Sequence, residues 1–151
     1  MKYQENILAF KDYVDLRESV GWNNYEKEQT VHALAHSLYK ITAVEDQQAV
    51  GMGRLLGDGL YYLVVDVVVR PEYQGKGIGS GIIKKILTYV ELQTPIQGRA
   101  SVQLIAEEGK EAFYERMGFK RIPHVNCGTG MRKVIYKGGG DNMGEKEKPL
   151  F

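Results

Sequence analysis

The densest chemical signal in the chain lies between Asp66 and Gly81, where the sequence reads Asp-Val-Val-Val-Arg-Pro-Glu-Tyr-Gln-Gly-Lys-Gly-Ile-Gly-Ser-Gly. The valine run has the composition of a buried strand, and Pro71 ends it. Gly75, Gly77 and Gly79 then crowd a short loop, after which Ile82, Ile83, Ile86, Leu87 and Val90 recur at helical spacing. The pattern predicts strand, tight loop and helix, with the loop opening onto the helix N-terminus. Unpaired N–H groups at such an end, aligned with the helix dipole, suit a phosphate or pyrophosphate. Glycine lets the backbone approach an anion closely and adopt positive φ without a Cβ clash. Lys76 adds a movable positive charge.

Two common phosphate loops fail against this stretch. A P-loop needs a hydroxyl residue directly after its lysine, and Gly77 follows Lys76. The dinucleotide fingerprint Gly-x-Gly-x-x-Gly ends on Ser80 if started at Gly75, and on Ile82 if started at Gly77. What remains is Gln74-x-x-Gly77-x-Gly79 between a strand and a helix. That arrangement resembles the acetyl-CoA pyrophosphate loop of the GNAT N-acetyltransferase superfamily, and the flank Val67 to Tyr73 resembles it too. A second block, Glu111-Ala-Phe-Tyr114-Glu-Arg-Met-Gly118-Phe119, is similar to the family's late helix and the strand entered after it. Gly118 sits where a helix C-terminal glycine belongs. The resemblance spans residues 3 to 137. The chain departs from it where many members carry an Asn near the late helix, reading Ala106-Glu-Glu-Gly-Lys110 instead.

The resemblance implies a mixed α/β fold: a mostly antiparallel central sheet with one splayed parallel strand pair, flanked by about four helices. It implies acetyl-CoA as cosubstrate, held by Val67, Val68 and Val69 and by Gln74, Gly75, Lys76, Gly77, Ile78, Gly79 and Ser80. The pantetheine arm would lie in the splay and pair there as an added strand does. Tyr114 takes the position of a tyrosine whose hydroxyl lies near the CoA sulfur. The first two helices would wall the acceptor pocket, which makes Arg17, Trp22, His32, His36 and Arg54 substrate-binding candidates. A homodimer is the assembly that family habit leaves open.

Acetyl transfer to an amine requires a proton acceptor, a polarised thioester carbonyl and a proton for the departing thiolate. Asp66 follows mostly apolar strand residues, so its carboxylate is the base candidate, unless neighbouring polar groups satisfy it. His124 is the alternative base. A backbone N–H near Val67 or Val68 is the group expected to polarise the carbonyl. Arg17 or Arg54 would grip a substrate carboxylate with its guanidinium fork, or else be an ordinary surface arginine. His32 and His36 stand at a metal-site spacing, but position 33 is alanine and a third ligand is lacking, so no metal is expected. Cys127 has no activating motif around it.

These side chains need elements to carry them. Strands are expected over 6–10, 39–44, 49–56, 60–69, 102–106 and 131–136, with the turn Glu45 to Gln48 joining the second and third. Helices are expected over 12–20, 28–38 and 110–117, besides the one after the glycine loop, with Val31, Leu34 and Leu38 forming one face of the second. Residues 1–137 then make one acetyltransferase domain, and 138–151 a disordered Gly-rich charged tail. The 151 residues, with a net charge of +1, fit a single domain and carry no basic stripe for nucleic acid. One cysteine excludes an internal disulfide, and the chain has neither a spanning apolar run nor a leader-like N-terminus, so a cytoplasmic protein is expected. The sequence reading is an acetyl-CoA-dependent N-acetyltransferase for a primary amine of a small, amino-acid-like molecule. Protein N-terminal or lysine acetylation, or a non-catalytic CoA sensor, are the alternatives.

Overall fold

Two tight turns set the register of the central sheet. Asp46 and Gln47 both take positive φ, +48° and +64°, the backbone that twists a two-residue hairpin to match its strands. They join β2 (Tyr39–Glu45) to β3 (Gln48–Gly57), with Glu45 paired to Gln48. In the next turn the Asp58 carboxylate accepts from the Leu60 and Tyr61 N–H groups at 2.9 and 3.0 Å, and β4 (Tyr61–Val69) follows. With β1 (Lys2–Glu5) and β5 (Ser101–Leu104), these strands form one five-stranded sheet ordered β1-β2-β3-β4-β5. Its first three junctions are antiparallel, and β4 with β5 is parallel. The helices are α1 (Phe10–Ser19), α2 (Lys27–Ala35), α3 (Ile78–Gln93) and α4 (Glu111–Arg116). Among the described residues the sheet is mixed and open and the helices number four, the architecture expected.

This computed structural model describes residues 1–138. Met1 to Ile105 forms one compact unit and the described residues from Ala106 a second. Among the described residues no helix is long and apolar enough to cross a membrane.

Alternation along β3 assigns the two faces of the first unit. A Cβ built on Gly53 would lie 2.7 Å from Ile82 Cγ2 and 3.1 Å from Ile86 Cδ1, and one on Gly51 would lie 3.1 Å from Ile82 Cδ1. Only glycine lets α3 approach this closely. Ile82 and Ile86 are fully buried in that contact, each contributing about 1.5–3 kcal/mol. Met52, between the glycines, points to the opposite face. There it joins Leu8, Tyr13, Leu16, Trp22, Leu34 and Val68 in one core cluster.

Three expectations change. The first strand ends at Glu5 rather than running from Asn6 to Phe10, because Asn6 takes φ +59° and Phe10 already begins α1. Helix α2 stops at Ala35 and buries Thr30 and Leu34, leaving Val31 and Leu38 exposed. Leu38 has by then joined the sheet, its N–H donating to the Leu55 carbonyl. No strand forms over 131–136: the apolar pattern is there, but a strand needs a ladder partner, and beyond β5 the only bridge among the described residues is His124 with Cys127. The tail expected from Gly138 lies, past that residue, outside the described residues.

Candidate functional site

After Val69 the chain makes a short 3-10 turn, Pro71–Tyr73, and enters the glycine loop. Two side chains tie this connection to the sheet: Gln74 Nε2 donates to the Val69 carbonyl at 2.9 Å, and Arg70 Nε to the Ala49 carbonyl at 2.8 Å. Gly75 and Gly77 take φ of +76° and +83°, a region disfavoured for residues with a Cβ, and nothing lies within 4 Å of where either Cβ would be. Gly79 differs from the expectation, because it lies in the first turn of α3 with Ile78 and Ser80. Gly81 N–H donates to the Gly77 carbonyl at 3.0 Å, so the N–H groups of Ile78, Gly79 and Ser80 stand at the head of the helix. Ile78 is buried and anchors that end, while the Lys76 ammonium sits 5.1 Å from the Tyr73 ring centre. An open glycine-lined cradle at a helix N-terminus fits a pyrophosphate.

The strand leading into the loop is irregular where chemistry is expected. Across β3 and β4, Met52 pairs with Val68 and Arg54 with Val65, so Asp66 and Val67 together oppose Gly53. This is a bulge, and Asp66 holds φ +54° within it. On the other side, parallel pairing with β5 runs from Tyr61 with Ser101 to Val64 with Leu104 and stops, while β4 continues to Val69. The stretch containing Val67, Val68 and Val69 therefore extends beyond its parallel neighbour.

The Asp66 carboxylate is the hub of a largely buried network. Arg17 Nη1 donates to one of its oxygens at 2.5 Å, and Arg54 Nε and the Tyr13 hydroxyl donate to the other at 2.9 and 2.8 Å. Arg17 Nη2 reaches the Asn23 carbonyl at 2.6 Å, and Arg54 Nη1 reaches Ser37 Oγ at 2.8 Å. The network thus links α1, the α1–α2 loop, the end of α2 and the β4 bulge. The Arg17 guanidinium lies 5.2 Å from the Trp22 ring centre and 5.1 Å from that of Tyr25, a cation held among aromatic faces. Burial, followed by the Asp66 charge, pushes the Tyr13 hydroxyl above the ordinary tyrosine range.

The structure thus brings together Arg17, Trp22, Arg54 and Asp66. In place of the apolar neighbours expected around Asp66 it has two guanidiniums, and the carboxylate that the arginine forks hold is Asp66 itself. Tyr13, Asn23 and Ser37 were not among the residues singled out from sequence. Tyr13 had a usable signal, since a buried tyrosine hydroxyl needs a polar partner. His32 and His36 sit on the exposed side of α2 with rings stacked at 3.9 Å, and His36 Nδ1 lies 2.8 Å from the His32 carbonyl. Among the described residues no group of three or more His, Cys, Asp or Glu is placed to hold a metal.

In the second unit, Tyr114 lies on α4 with ring centres 4.9 Å from Phe113 and 5.9 Å from Phe119. Burial, then the nearby Glu107 charge, pushes its hydroxyl up to about 12. His124 is exposed and pairs through its backbone with Cys127.

Comparisons with known proteins agree with this geometry. The model of the acetyltransferase (GNAT) domain matches residues 25–121. An uncharacterised ycf52-like N-acetyltransferase of Prochlorococcus marinus is 30% identical over 128 residues, covering 82% of this chain and 69% of that protein. Serotonin N-acetyltransferase 2 of rice, a chloroplastic protein, is 31% identical over 111 residues, covering 69% of this chain but only 52% of its own length. The chain thus spans about half to two thirds of these curated relatives. A probable acetyltransferase of Staphylococcus aureus superposes with a TM-score of 0.79 at 28% identity, covering 89% of this chain and 98% of that one.

Proposed function

Because the chain belongs to the GNAT family of N-acetyltransferases, we propose that it transfers an acetyl group from acetyl-CoA to a primary amine of a small molecule. One observation carries the donor half of this reading: the left-handed Gly75 and Gly77 leading from the bulged β4 into the head of α3. Acetyl-CoA supplies the acetyl group as a thioester, and the amine receives it as CoA is released as a thiol. The N–H groups of the 74–80 loop and helix head bind the pyrophosphate, with Lys76 as an added charge. Val67, Val68 and Val69 offer backbone groups to the pantetheine arm, and the bulge backbone polarises the carbonyl. Tyr114, protonated at neutral pH as any tyrosine is and more firmly so with burial pushing its hydroxyl up to about 12, supplies the proton to the departing sulfur. Both Asp66 oxygens already accept from Arg or Tyr donors, so in this reading water takes the ammonium proton.

The acceptor half rests on Tyr25, the exposed member of the aromatic group that it forms with the buried Tyr13 and Trp22 around Arg17. Tyr25 keeps half its surface exposed, a face against which a compact aromatic or amino-acid-like amine can stack. The rice relative is named for serotonin, a primary alkylamine carried on an aromatic ring, which supports the same class. Residues 1–137 are taken as the acetyltransferase domain. A panel of amines, with acetyl-CoA and the full chain, tests the reading through thiol release. Aromatic and amino-acid amines are expected to exceed spermidine and a lysine peptide in kcat/KM. A peptide at the top would replace the small-molecule reading with protein acetylation. Failure of calorimetry to detect acetyl-CoA binding would remove the donor assignment itself.

A further inference from the structure

We propose that Tyr13, Arg17 and Arg54 are positioning residues that act through Asp66. By clamping its carboxylate they hold the β4 bulge, and with it the backbone polar groups of Asp66 and Val67, in the arrangement that meets the thioester carbonyl. This inference rests on the reading of the 74–79 loop as an acetyl-CoA site.

Three observations lead to it. Asp66 is an L residue in the left-handed region, at φ +54°, and such a conformation persists only where its surroundings over-determine it. Those surroundings are three donors from two elements: Tyr13 and Arg17 on α1, and Arg54 on the neighbouring strand β3. The Arg17 side chain is 1% exposed and that of Asp66 9%, so these charges have left water and depend on each other's geometry. The clamped residue is also one of the two that share Gly53 as a partner, just past the point where β5 leaves β4. The β5 ladder therefore gives the bulge no support, and the β3 ladder only flanks it; within it, Asp66 is held by the side-chain clamp. A carboxylate whose oxygens take two guanidiniums and a phenol is built to be held still. Donors fixed before the reaction stabilise developing charge without reorganising at that moment, which gives the clamp its value.

The test needs no acceptor. The full chain is loaded with acetyl-CoA carrying carbon-13 at the acetyl carbonyl, and isotope-edited infrared spectroscopy reads the carbonyl stretch beside calorimetry with CoA. In the parent, the bound carbonyl band is expected below its position in free acetyl-CoA. In Arg54→Lys and Tyr13→Phe the band should move back towards the free position while CoA affinity stays unchanged, because the pyrophosphate loop is untouched. A band unmoved in both variants overturns the proposal. So does a loss of CoA affinity in step with the band, since that would make the network a plain fold element. Should Arg54→Lys fail to give a cooperative melt, Tyr13→Phe decides, because it removes a single hydroxyl. A parent that binds acetyl-CoA with no band displacement overturns this inference alone, whereas a parent that binds no acetyl-CoA overturns the loop reading beneath it.

Discussion

Gly77→Ala separates backbone strain from anion recognition. Gly77 holds φ +83° and ψ +5°, and no atom lies within 4 Å of its would-be Cβ, so the substitution meets no steric wall. Its penalty is that of an L residue in the left-handed region, about 1–2 kcal/mol if the backbone stays put. For a domain of this size that lowers Tm by roughly 2–8 °C. The chain escapes the strain by rotating out of the left-handed region, which turns the loop amides away from the bound phosphate. A hydrogen bond to a charged group contributes about 1.5–3 kcal/mol, so losing one weakens acetyl-CoA binding roughly 10- to 150-fold. Gly59→Ala is the control: its φ is +98°, its Cβ site is equally open, and it sits in the hairpin at the far end of β4. Both variants should lose comparable Tm by calorimetric melting, and only Gly77→Ala should lose acetyl-CoA affinity by titration calorimetry. Equal affinity in Gly77→Ala and the parent, with the Tm loss present, would refute the loop as the pyrophosphate site.

Tyr114→Phe should lower kcat by on the order of 100-fold with acetyl-CoA affinity unchanged, as expected when a proton donor acts mainly in the transition state; steady-state kinetics and calorimetry read the two separately. Because burial raises the Tyr114 hydroxyl from 10 to about 12, its share of stability is complete below pH 10 and drains as pH rises from 10 through about 12. Tm against pH should therefore fall less steeply in Tyr114→Phe over that window. Gly53→Ala should destabilise the first unit by about 1–3 kcal/mol through its 2.7 Å approach to Ile82, and Ile82→Ala in the same chain should recover part of that loss in a denaturant cycle.

The strand, glycine loop and helix of the proposed donor site were legible in the sequence because the pattern that marks them is local. Glycine spacing, the strand before it and the apolar period after it occupy one continuous stretch; β4 lies within a residue of its expected bounds, while α3 begins at Ile78 and takes Gly79 out of the expected loop. The Asp66 network was not legible, because it joins residues 49 and 53 positions apart, and no local pattern records which arginine meets which carboxylate. The bulge was hidden for a related reason: Asp66 and Val67 look like part of one continuous buried strand until the register with β3 is known. The unformed strand over 131–136 is the reverse error, a correct local pattern with no partner to realise it.

The bare backbone at Gly51 and Gly53 also bears on how this protein can be altered. β3 offers α3 main chain at these two positions, while Met52 and Arg54 on its other face carry the side chains that meet α1 and α2. The seat of α3 is therefore set by main-chain distance, and the wall opposite by side-chain identity. Segment 10–35 is thus a natural graft: exchanging it for the matching helices of another family member, with Tyr13 and Arg17 retained, would rewrite the proposed acceptor wall while α3 keeps its seating on the sheet.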